Sequence, residues 1–144
     1  MQRRFIVLFL SLFLFGGCQS PPTKISSEVN SYLHLGAVVL DTRDPKDFGV
    51  SRYPGSINVQ ADHFQDPDRF RLARRFALYG INPEVPVIIV GTASGDLTDA
   101  EKMKSILVGL GVTKVVVTPS QKIPMRIATD DFRPQSVPIW KPVE

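Results

Sequence analysis

Three short apolar runs constrain this chain most: Ala37 to Leu40, Val85 to Val90 and Val115 to Val117. A strand with one wet face alternates apolar and polar residues. A run without that alternation suits a strand buried on both faces. Helix-like stretches separate the three runs. Strands alternating with helices predict a small α/β domain with a mostly parallel central sheet and helices on both of its faces.

The intervening stretches read as follows. Glu28 to Leu35 places Val29, Tyr32 and Leu33 at helical spacing, and Gly36 ends it. Pro45 to Phe48 starts a short helical turn, Tyr53-Pro54-Gly55-Ser56 is a turn, and Ile57-Asn58-Val59 is a short strand. Asp66 to Tyr79 predicts a helix capped by Asp66 with Pro67 in its first turn. Its inward face is expected at Phe70, Ala73, Phe76 and Ala77. Arg69, Arg71, Arg74 and Arg75 are then mostly outward. Thr98 to Leu110 predicts an amphipathic helix capped by Thr98 or Asp96, with Met103, Ile106, Leu107 and Leu110 as its core stripe. After Pro119 periodicity fades, and Trp140 with Ile139 and Val137 is expected to pack back on the core.

Basic residues number 17 against 14 acidic. Arg3 and Arg4 account for most of that excess, so a nucleic-acid binder by general electrostatics is not supported. The single cysteine, Cys18, excludes an internal disulfide and a Cys-based zinc cluster. His34 and His63 are too few for a His-rich metal site, and nothing calls for a cofactor.

Arg3 and Arg4 precede an apolar run, Phe5 to Phe15, interrupted by Ser11. That run is too short to span a bilayer as a helix and suits a secretory signal. Phe15-Gly16-Gly17-Cys18 resembles the lipobox of bacterial lipoproteins. The resemblance implies a signal peptide over 1–17, acylation of Cys18, and a tether over 18–27. The expected partner is therefore a membrane reached through the lipid anchor, in the cell envelope. Gln19 points to the outer membrane, facing the periplasm, if the source has two membranes.

Val38-Val39-Leu40-Asp41-Thr42-Arg43-Asp44-Pro45 with Asp47-Phe48, followed by Arg52-Tyr53-Pro54-Gly55-Ser56-Ile57-Asn58, resembles the two opening motifs of rhodanese-like domains. The resemblance spans about 31–118 within a domain expected over 28–144, whose part over 118–144 diverges from the family. Asp41 can accept loop N–H groups or pair with Arg43, and Pro54 and Gly55 supply turn geometry. Structural support is the expected role of all three. Arg43 reads either as one half of an ion pair or as a charge on a pocket rim.

In active members of that family, the loop after the second long strand begins with a cysteine that carries sulfur as a persulfide. Here the loop reads Gly91-Thr92-Ala93-Ser94-Gly95-Asp96-Leu97. Counting from the strand puts Gly91 at the cysteine position; counting back from Leu110-Gly111 puts Ser94 there. A serine hydroxyl is far less acidic than a thiol and cannot form a persulfide. Asp96 adds negative charge where an anion would sit. The expected function is a non-catalytic binding or structural module with an envelope partner. An alternative is relocated chemistry, with the 91–97 loop and Arg43 forming a small-anion or hydrolytic site.

Overall fold

The computed structural model describes residues 25–127. The lipobox, Cys18 and the segment carrying Val137, Ile139 and Trp140 lie outside the described residues. In chain order the elements are α1 (Ser27–His34), β1 (Val38–Asp41), α2 (Pro45–Val50), β2 (Ser51–Arg52) and β3 (Ile57–Asn58). A 3-10 turn (Ala61–Phe64), α3 (Arg69–Leu78), β4 (Val87–Gly91), α4 (Thr98–Gly109) and β5 (Val115–Pro119) follow. A second 3-10 turn (Ser120–Lys122) and β6 (Arg126–Ile127) complete the described chain.

The domain is α/β. Its central sheet has four strands in the order β3-β1-β4-β5, every pair parallel. The register aligns Leu40 with Ile57 on one side and with Ile89 on the other, and Ile89 with Val117. Each long strand is an apolar run because both of its faces are covered. Val87 and Ile89 pack with Met103 and Leu107 of α4 and with Leu72 and Phe76 of α3. Ile88 and Val90 point the other way, into a smaller cluster with Val29 of α1 and Ile123. Val85 falls outside β4 because Asn82 turns the chain there, its side chain accepting the Glu84 and Val85 N–H groups.

Helix α3 departs from its expected form. Asp68, not Asp66, caps it, accepting the Phe70 and Arg71 N–H groups at 2.9 and 3.2 Å. Asp66 instead accepts the Asp68 N–H, so Pro67 lies in the turn before the helix. The buried residues are Leu72 and Phe76; Phe70, Ala73 and Ala77 are exposed. The inward stripe is set by partners from elsewhere: Phe76 stacks on Phe64 with centroids 4.7 Å apart, and Tyr79 meets both rings at 6.4–6.5 Å. Truncating Phe76 to Ala would cost about 3–5 kcal/mol.

A two-stranded antiparallel ribbon, β2 with β6, pairs Ser51 with Ile127 and Arg52 with Arg126. Strands of two residues each are too short to carry a periodic signal.

Candidate functional site

From β1 the chain moves to β3 on one side. From β3 it returns across β1 to β4, and then moves on to β5. The connections leaving β1 and β4 thus part in opposite directions. In open α/β sheets, a crevice opens beyond the strand C-termini at such a switch point. A cavity of about 370 Å³ lies there, lined by Thr42, Arg43 and Asp44 after β1, Gln60 after β3, and Thr92, Asp96, Thr98 and Asp99 after β4.

The wall after β1 is rigidly held. Asp41 is 0 % exposed and Arg43 6 %. Arg43 Nε donates to both Asp41 carboxylate oxygens at 2.9 and 3.2 Å, and Nη2 donates to Oδ2 at 2.7 Å. The Arg43 backbone N–H also reaches Asp41 Oδ1, and Nη2 further donates to the Ser51 carbonyl at 2.7 Å. Such a fork satisfies both charges without water. Asn58 Nδ2 then donates to the Asp41 and Arg43 carbonyls, 2.9 Å each, and Gln60 Nε2 donates to the Arg43 carbonyl. The Thr42 N–H and hydroxyl both donate to the Val90 carbonyl at 2.9 Å, tying this loop to β4. Arg43 therefore lines the crevice as half of a buried ion pair, its charge already spent on Asp41.

Pro54 and Gly55 occupy the middle of a turn closed by the Ser56 N–H donating to the Tyr53 carbonyl at 3.0 Å. Gly55 has φ +79°, the value such a turn needs at its third residue. The turn delivers Asn58 to the loop after β1.

The wall after β4 is built differently. Ala93, Ser94, Gly95, Asp96 and Thr98 are exposed. The loop bonds to itself: the Thr92 N–H and hydroxyl donate to the Asp96 carbonyl, and the Thr92 and Ser94 hydroxyls share a 2.9 Å bond. The loop also folds down over the end of β4. A Cβ on Gly91 would stand 2.5 Å from Leu97 Cδ2 and 3.2 Å from the Asp96 carbonyl oxygen. A side chain at Gly91 would require the Leu97 side chain to move aside and the Asp96 carbonyl to give way slightly.

The entrance to α4 is occupied by the chain's own carboxylate. Asp96 Oδ1 accepts the Thr98 N–H at 3.0 Å and the Thr98 hydroxyl at 2.7 Å. The backbone N–H of Thr98, then its hydroxyl, holds the Asp96 carboxyl below its ordinary value. Asp99 pairs with Lys102 at 3.2 Å, and that hydrogen bond raises the ammonium above its ordinary value.

Of the residues singled out from the sequence, Arg43, Thr92 and Asp96 line the crevice together. Asp41 lies buried beneath it, Pro54 and Gly55 lie outside its lining, and Ser94 sits on the loop's outer edge. Thr42, Asp44, Gln60, Thr98 and Asp99 complete the lining and Asn58 braces it. Thr42 and Asp44 belong to the first motif, Asn58 closes the second, and Thr98 carried only a capping signal; topology, not local sequence, brings Gln60 and Asp99 to them. Neither His34 nor His63 is in the lining, and the Ser94 hydroxyl bonds to the Thr92 hydroxyl. Among the described residues, no group of three or more His, Cys, Asp or Glu side chains could hold a metal ion, and no helix is long and apolar enough to cross a membrane. Comparisons with protein-family models, curated proteins and solved structures return no match.

Proposed function

We propose that this chain is a rhodanese-like envelope module, lipid-anchored through Cys18, that binds a partner and does not transfer sulfur. The carrying observation is the state of the loop after β4. Persulfide chemistry needs a thiolate at the strand end and free N–H donors around it. Here the strand ends in Gly91, with the Leu97 side chain packed where a thiol-bearing side chain would stand, and Asp96 accepts the Thr98 N–H at the helix entrance. The sequence holds no thiol beyond Cys18. The fold keeps the crevice at the switch point while the loop that would hold the reacting sulfur closes on itself.

The crevice suits a partner that presents hydrogen-bond donors. Its lining carries the carboxylates of Asp44, Asp96 and Asp99, while the Arg43 charge is met by Asp41. That balance disfavours a small anion, and the position of Ser94 outside the lining, its hydroxyl bonded to Thr92, disfavours a Ser94 hydrolase.

The chemical test is thiosulfate:cyanide sulfurtransferase turnover by the full chain and by Cys18→Ser. The expected result is no thiocyanate above the buffer rate from either. Turnover that persists in Cys18→Ser would overturn the non-catalytic reading. Affinity capture from envelope extract, with parent and Asp44→Ala/Asp99→Ala as baits, tests the crevice. A partner retained by the parent and lost from the double variant is expected; equal retention would remove the crevice as the binding surface.

A further inference from the structure

Helix α3 presents an outward face that the rest of the domain leaves unused. Phe70 is 86 % exposed and Leu78 70 %. Phe70, Arg74 and Leu78 follow one another at four-residue spacing, so they form one ridge along the helix. Arg71 lies beside that ridge, and Ala77 flanks it with a small side chain. Among the described residues Arg74 makes no ion pair, whereas Arg71 reaches Asp66 and Asp68 at 3.4 and 3.9 Å. No acidic residue occurs between Arg69 and Pro83.

While Leu72 and Phe76 anchor this ten-residue helix in the core, its other side carries a phenylalanine and a leucine with an unpaired cation between them. Those residues suit the headgroup boundary of an anionic bilayer. There the aromatic and aliphatic groups enter the acyl edge, while the arginines bind phosphate with their stems lying along the apolar surface. The ridge is convex, and a fluid lipid surface accepts it without a complementary groove. A protein partner would need one.

We propose that the outward face of α3 docks the domain onto an anionic lipid surface. The inference stands on α3 itself and holds whether or not Cys18 is acylated.

The test mixes the full chain carrying Cys18→Ser with preformed vesicles. A single environment-sensitive fluorophore is attached at Ala77→Cys or, as a control on the opposite face of the sheet, at Leu35→Cys. The vesicles are phosphatidylcholine alone or phosphatidylcholine with phosphatidylglycerol, each with and without doxyl-labelled lipid. The expected result is blue-shifted emission and doxyl quenching at position 77 only, and only with phosphatidylglycerol. Adding Arg74→Glu should restore the water-exposed spectrum. Quenching absent at position 77, equal at both positions, or unchanged without phosphatidylglycerol would each overturn the proposal. So would a blue shift at position 77 without lipid quenching, which would report a protein contact or a second copy.

Discussion

The two loops that meet over the crevice are neighbours in space and opposites in construction. The loop after β1 is buried and held by distant residues: Ser51, Asn58, Gln60 and Val90 all bond to it. The loop after β4 is exposed and held by itself, through Thr92, Ser94 and Asp96. In the first, one substitution disturbs several elements. In the second, the damage stays local. A strongly built wall thus faces a self-closed one across the crevice.

That contrast can be tested by substitution, beginning with the strongest expected effect. Arg43→Ala leaves the Asp41 carboxylate buried without its partner, and should cost about 3–5 kcal/mol. Urea unfolding reads this directly, and a loss below about 1 kcal/mol would show that the pair is not the keystone of its loop. Asn58→Ala removes two bonds to the same loop and should cost about 2 kcal/mol. Gly91→Ala should cost about 1–2 kcal/mol, with part regained when Leu97→Ala is added. Additive losses in that double-mutant cycle would mean that the loop does not rest on the strand end.

The Asp96 effect is smaller and depends on pH. Its carboxyl titrates below the ordinary 3.8 when folded, so the native state binds fewer protons than the unfolded chain in that range. The stability it contributes is fully present above 3.8 and is lost as pH falls through that value and then the lowered one. The gap in urea midpoint between the parent and Asp96→Ala should therefore close on acidification; a gap constant down to pH 2 would deny the charge a role. Ser94→Ala should fall within about 0.5 kcal/mol of the parent. A larger loss would place Ser94 in the framework and not on the loop's outer edge.

Legibility in the sequence followed the range of the interactions. β1, β4 and β5 were readable because burial on both faces leaves an unbroken apolar run, and the Asp41-Arg43 pair because its members are two residues apart. α3 was readable as a helix but not in its rotation. Two sets share helical spacing, Phe70 with Ala73 and Ala77, and Leu72 with Phe76 and Tyr79. Partners distant in sequence, Val87, Ile89 and Met103 together with Phe64 from the preceding turn, decide between them. Gln60, Thr98 and Asp99 were invisible as a group because three separate strands deliver the crevice. The 91–97 loop could be aligned from either end because its bonds are local and constrain its length weakly.

The parallel sheet has a kinetic consequence. Within it, no two adjacent strands are joined by a tight turn; even β4 and β5 are separated by everything from Thr92 to Lys114, the whole of α4 included. Pairing must wait for long-range loop closure and cannot zip outward from a hairpin. A newly made chain of this design stays open for longer than one whose strands pair through local hairpins.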